Sequence, residues 1–213
     1  MILDSGSGSD RFLFAHGAGA PMDSPFMNDV ASALAAAGIR VIRFEFPYMA
    51  ARRSGQRKPP DREGILLETW RTMIATHRGE GRLVIGGKSM GGRMATMIAD
   101  EAEVDGVVCF GYPFHPPGKP ERLRIAHLRD IRTPVLMIQG TRDALGSREE
   151  VEPMELSKSV RIQWIEDGDH SLKPRVKSGR TLDENLREAT RAATKFIKTS
   201  QKPEARSQKK RRS

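Results

Sequence analysis

Ser89 stands between two glycines in Gly87-Lys88-Ser89-Met90-Gly91, within the heptad Gly86 to Gly92. A serine that attacks a carbonyl must project from a sharp strand-to-helix turn, where side chains two positions to either side would collide. Glycine removes those side chains and tolerates the backbone. Both flanks suit such a turn. Arg82-Leu-Val-Ile-Gly86 is a short apolar run with β-branched residues, and Met90, Met94, Met97 and Ile98 recur at helical spacing through Met90 to Glu101. A serine nucleophile also needs a base to take its proton and a carboxylate to orient that base. Asp143 lies just beyond the apolar run Val135 to Gln139, and His170 lies beyond the run Val160 to Ile165. If the runs are parallel strands, all three residues fall at one sheet edge, an arrangement suited to acyl transfer.

Competing readings of these residues are weaker. Gly87-Lys88-Ser89 also ends a phosphate-binding P-loop, but that motif needs a glycine where this chain has Arg82. Moreover, Leu83, Val84 and Ile85 occupy what would be the polar loop. Among the other histidines, His16 comes too early for the base, His77 follows a helix at an exposed position, and His127 has no strand before it. Asp169 adjoins His170, but neighbouring residues on an extended loop point apart, which leaves Asp143 the better acid. The apolar run Phe12 to Ala15 ends in His16-Gly17-Ala18-Gly19-Ala20, where small residues let backbone amides face a ligand.

These positions require an alternating scaffold. β-rich runs occur at 11–15, 39–44, 82–86, 106–110, 135–139 and 160–165, with helical patterns between most of them. Ser24-Pro25 opens a helix through Ala37, with Gly38 placed to end it. Asp61 to His77 carries Ile65, Leu66, Thr69, Trp70, Met73 and Ile74 on one broad face. A short helix falls around Arg148 to Ser157, and Thr181 to Lys198 closes the fold with Leu182, Leu186, Ala189, Ala193 and Phe196 inward. The alternation predicts an α/β fold of three layers, a mostly parallel sheet of about six strands covered by helices on both faces. Met49 to Pro60 and Gly111 to Pro120 read as surface loops. Tyr48, Arg52, Arg53, Tyr112, Phe114 and His115 lie in loops leaving strand ends, where open α/β sheets form pockets. Tyr48, Arg52, Tyr112 and His115 are the expected substrate-binding residues, and Arg52 and Arg53 could pair with a substrate carboxylate or phosphate.

Taken together, HGAGAP, GGKSMGGR and QGTRDALG resemble the α/β-hydrolase superfamily. They are most similar to its small, lidless branch related to dienelactone hydrolases and to the testis-expressed and chromatin-complex-subunit hydrolase-like family. The resemblance spans 11–199 as one hydrolase domain without a lid and implies a catalytic order of Ser89, Asp143, His170. It also implies an oxyanion hole built from the amides of Ala18 and Met90. No cofactor or metal is implied. Two departures stand out: dienelactone hydrolases proper use a cysteine nucleophile where this chain has Ser89, and the antiparallel strands that open the superfamily's sheet are expected to be missing, with 1–10 flexible.

At 213 residues, the chain can bury a substantial core without staples, and its one cysteine, Cys109, sits in an apolar run and permits no intrachain disulfide. The N-terminus lacks a signal-peptide pattern, and no apolar run approaches the roughly 18 residues that span a bilayer, which predicts a cytoplasmic protein with no membrane partner. The net charge of +9 is uneven: Lys195 to Ser213 holds eight basic residues and one acid, and the remaining 28 basic and 26 acidic residues leave only +2. The excess predicts a disordered basic tail over 200–213, with at most weak nucleic-acid contact. The expected partner is a small acyl substrate: a carboxylic ester, thioester or related compound, hydrolysed through an acyl-enzyme. The alternative is a non-enzymatic interaction module on the same fold, its tail touching nucleic acid or a protein.

Overall fold

The computed structural model describes residues 1–201. Its strands are β1 (Ile2–Ser5), β2 (Arg11–Ala15), β3 (Arg40–Phe44), β4 (Leu83–Lys88), β5 (Gly106–Phe110), β6 (Val135–Gly140) and β7 (Val160–Ile165). The helices are α1 (Pro25–Ala36), α2 (Pro47–Arg53), α3 (Glu63–His77), α4 (Met90–Ile98), α5 (Arg148–Val151) and α6 (Leu182–Thr199). All seven strands join one sheet in the order β1-β3-β2-β4-β5-β6-β7, parallel except where β1 meets β3. Among the described residues, no helix is long and apolar enough to cross a membrane.

The near-continuous apolar runs arise because the central strands are buried on both faces. Strand periodicity sends alternate residues to opposite layers. Leu13, Ile85, Val107 and Met137 pack with Trp70 of α3 and Met94 of α4, whereas Phe12, Val84, Val108 and Ile138 pack with Val30 of α1 and Ala193 of α6. The first layer centres on Trp70, wholly buried and edge-on to Phe44 at a centroid distance of 4.8 Å.

Several sequence expectations need correction. The sheet has seven strands rather than about six, because Ile2–Ser5 pairs antiparallel with β3 instead of forming a flexible end. Its period-two alternation of half-buried and exposed residues is too short to stand out from a polar N-terminus. Within the segment read as a surface loop from Met49 to Pro60, the chain is helical as far as Arg53, started by Pro47 at the first helical position. α3 turns a narrower face inward than expected: Leu66, Trp70, Met73 and Ile74 are buried, Thr69 is half-buried and Ile65 is exposed. α5 is one turn long, with Pro153 shortly after it. α6 begins at a capping box between Thr181 and Glu184. It buries Ala189, Ala193 and Ile197, leaving Phe196 partly buried and Leu182 exposed. Ser200 caps α6 and is buried, so the ordered domain extends to it; the predicted tail from 202 onward lies outside the described residues.

The stretch between β5 and β6 contains only a single 3-10 turn, Ala126–Arg129, and no inserted helical domain covers the strand ends. Replacing Trp70 by Ala is expected to lower the unfolding free energy by about 3–5 kcal/mol, the range for deleting a large buried aromatic. Urea denaturation followed by circular dichroism measures it.

Candidate active site

Ser89 links the end of β4 to the start of α4 in a conformation uncommon for a residue with a side chain, φ 51° and ψ −115°. The turn is tight because β2 and β4 are neighbours. A Cβ on Gly87 would lie 2.6 Å from the carbonyl oxygen of Ala15, and one on Gly91 2.6 Å from that of His16. The Gly-x-Ser-x-Gly spacing thus follows from close backbone approach. The amide of Ser89 donates to the carbonyl of Phe110 at 3.0 Å, tying the turn to β5.

Ser89, His170 and Asp143 form one hydrogen-bonded chain. His170 Nε2 lies 2.9 Å from Ser89 Oγ, and Nδ1 lies 2.8 Å from Asp143 Oδ2 and 3.0 Å from Oδ1. A carboxylate only accepts, so Nδ1 carries the ring proton and Nε2 is left to accept from the serine hydroxyl. The His170 side chain is 29% exposed and that of Asp143 fully enclosed. The imidazole is therefore reachable from solvent and the carboxylate is not.

A buried carboxylate needs donors. Asp143 Oδ1 accepts from the amide of Leu145 at 2.8 Å, and Oδ2 accepts from Gln139 Nε2 at 2.9 Å. Gln139, buried at the end of β6, also accepts from the amide of Tyr112 at 2.7 Å. Sequence reasoning missed it, although a lone amide closing the apolar run 135–139, four residues before Asp143, was the available signal.

The loop that carries His170 has contacts of its own. Asp169 Oδ1 accepts from the amides of Ser171 and Lys173, at 2.7 and 3.0 Å, so it shapes the turn rather than orienting the imidazole. Asp167 pairs with Arg175, whose guanidinium, aided by Arg142, holds its carboxyl down at about 2. The acid and base loops also meet directly, through the amide of Arg142 donating to the carbonyl of Gly168.

At the end of β2, His16 is wholly buried. Its Nδ1–H donates to the carbonyl of Gly17 at 2.7 Å and its Nε2 accepts from the amide of Phe46 at 3.1 Å. Burial lowers its pKa, in keeping with this neutral tautomer. A Cβ on Gly17 would lie 3.6 Å from Ser89 Cβ, which sets the loop beside the serine. Met90 opens α4, so its N–H has no intrahelical acceptor, and among the described residues neither this amide nor that of Ala18 donates to a protein group.

The expected substrate contacts fare differently. Tyr48 is fully buried, its hydroxyl donating to the carbonyls of Gly17 and Ala18 at 3.2 and 3.1 Å. It braces the loop rather than meeting a ligand. Tyr112 is likewise buried, donating to the carbonyl of Arg124 at 2.8 Å beside the buried Phe114. His115 is 3% exposed and faces Glu150 in a separate depression with Leu123, Ile125 and Met154. Arg53 is committed to Asp23 and Glu45, both at 2.6 Å. These four positions are corrected: the chain after β5 folds Tyr112 and His115 back into the protein, α2 turns Tyr48 inward, and Arg53 at the end of α2 is taken up by two ion pairs. Arg52 remains accessible, stacked 5.1 Å over Tyr48, with Nη1 3.5 Å from the carbonyl of Ala18 and a depression formed with Gln56, Arg57 and Lys58. His127 is half-buried, Nε2 2.8 Å from Thr96 Oγ1, and burial brings it down to about 4. His77 is half-buried rather than exposed. Among the described residues, no group of three or more His, Cys, Asp or Glu is placed to hold a metal ion.

The chain is similar to an α/β serine hydrolase homologue from Coxiella burnetii (19% identity over 90% of this chain and 89% of that one, TM-score 0.68). It is also similar to a lidless α/β serine hydrolase from Xanthomonas campestris (18% identity, 92% and 88%, TM-score 0.64). A dienelactone hydrolase from Anabaena variabilis shares 21% identity over 94% and 91%, with a TM-score of 0.67. At these identities the likeness concerns the fold. The sequence match to the α/β hydrolase domain covers residues 8–198, and the chain therefore belongs to the α/β hydrolase domain family.

Proposed function

We propose that the protein is a serine hydrolase of small carboxylic esters, thioesters or related acyl compounds. The observation that carries this reading is the unbroken path from Ser89 Oγ through His170 to the enclosed Asp143. Ser89 Oγ attacks the acyl carbon as His170 Nε2 takes its proton, and Asp143 stabilises the resulting imidazolium. The amides of Ala18 and Met90 receive the negative oxygen of the tetrahedral intermediate. The imidazolium then protonates the leaving group, and water, deprotonated by His170, releases the acyl group from Ser89. The similar structures, which include serine hydrolases and a dienelactone hydrolase, support this class of chemistry.

The strand ends carry no inserted domain, which favours small or polar substrates over long acyl chains. Arg52, beside Ala18, and Arg57, which lines the same depression as Arg52, supply positive charge suited to an acidic group on the substrate.

Ser89→Ala is expected to lower kcat by a factor on the order of 10^4–10^6 with Tm nearly unchanged; equal hydrolysis of p-nitrophenyl acetate by variant and wild type rejects the reading. Gln139→Met removes a donor from the buried carboxylate and is expected to lower kcat about ten- to a hundredfold, with little change in KM. Arg52→Met is expected to reduce kcat/KM for a succinyl monoester about tenfold more than for the matching neutral ester. Parallel losses on the two substrates would show that Arg52 does not meet the acid.

A further inference from the structure

Lys88 precedes the nucleophile yet belongs to the other face of the sheet. The alternation of β4 sends Val84, Gly86 and Lys88 toward the α1–α6 layer, where Val84 and Phe110 are buried. The ring of Phe26 lies 5.7 Å from Nζ, and the stem runs beside Gly17, whose added Cβ would sit 3.6 Å from Cγ. An ammonium in such surroundings requires an acceptor. It has one, donating to the backbone carbonyl of His170 at 2.6 Å. Gly111, at φ +64°, keeps the space open, because a Cβ there would come within 2.9 Å of Nζ and 2.6 Å of that carbonyl. The residue before the nucleophile is thus bonded to the backbone of the base, 82 positions along the chain.

Resting on the hydrolase reading above, we propose that Lys88 is a positioning residue for acyl transfer: its ammonium, through a charge-assisted bond to the His170 carbonyl, holds the imidazole in line with Ser89 Oγ. The charged and titratable groups facing it are the carboxylates of Asp143 and Asp169 and the imidazole of His170. Burial outweighs the two carboxylates and brings the lysine from 10.5 down to about 8.

The two consequences of raising the pH have opposite signs. Between about 8 and 10.5, the unfolded chain keeps a proton that the folded chain has released, so this group makes the fold more stable as pH rises. Over the same interval, the bond to the His170 carbonyl changes from charge-assisted to neutral and weakens. Turnover falls while stability does not. A lysine that served packing alone would give the same trend in stability and leave turnover unchanged.

The test measures Ser89-dependent hydrolysis of p-nitrophenyl acetate, with the rate of Ser89→Ala subtracted, alongside Tm from about pH 6 to about pH 10. Wild-type kcat is expected to fall about five- to tenfold with a midpoint near 8, while Tm holds or rises. Lys88→Arg, charged throughout, keeps its neutral-pH rate at alkaline pH. Lys88→Met loses about ten- to a hundredfold in kcat at neutral pH with KM little changed, and lacks the alkaline fall. The proposal is overturned if Lys88→Met retains wild-type kcat and pH profile, or if the alkaline fall is absent from wild type or persists in Lys88→Arg. Should Lys88→Met fail to fold, the wild-type and Lys88→Arg profiles still decide. Absence of any Ser89-dependent turnover in wild type is a different outcome, which overturns the hydrolase reading itself and this proposal with it.

Discussion

A negative charge sealed from solvent is the most demanding requirement in this molecule. Asp143 is completely enclosed, and desolvating a carboxylate costs far more than any single hydrogen bond returns. Its environment is therefore built around acceptor capacity: the amide of Leu145, the side chain of Gln139 and the imidazole of His170 converge on two oxygens. Gln139 must in turn be held, and the backbone of Tyr112 holds it. That arrangement explains why Tyr112 and Phe114 fold inward: the chain after β5 passes beneath the loop that carries the acid. Packing there is close, since a Cβ on Gly146 would strike the ring of Phe114 at 2.4 Å.

The scaffold was legible where burial is two-sided. Strands flanked by helices on both faces are apolar over most of their length, and the runs from Phe12, Leu83, Val107 and Val135 stand out for that reason. β1 has one neighbour and an open edge, so its pattern of half-buried Leu3 and Ser5 between exposed residues barely differs from that of a loop. The error over Met49 to Pro60 has a related origin: α2 is short, basic and started by a proline, features that a linear reading assigns to irregular chain.

For the candidate site, chemistry with a spacing rule was readable and support without one was not. Ser89, Asp143 and His170 each sit just past a strand, and strand ends can be located from composition. Whether a tyrosine after a strand points to solvent or to a carbonyl depends on the path of the loop, which no local pattern encodes. Tyr48 and His115 were misjudged on that account, as was Arg53, whose partners Asp23 and Glu45 lie 30 and 8 residues away. Lys88 and Gln139 act through their partners' positions, so their significance emerges only once those partners are in place.

The order of strands in the sheet bears on how the chain reaches its working state. The serine turn rests on β4, pressed against β2, while Asp143 and His170 follow β6 and β7, the last two strands along the sheet. His170 lies 81 residues from Ser89, and loop-closure entropy makes such distant pairings slow compared with local ones. A chain emerging from synthesis can form the serine turn and its glycine contacts before His170 is in place. Assembly of the hydrogen-bonded chain from Ser89 through His170 to Asp143 then coincides with completion of the whole sheet.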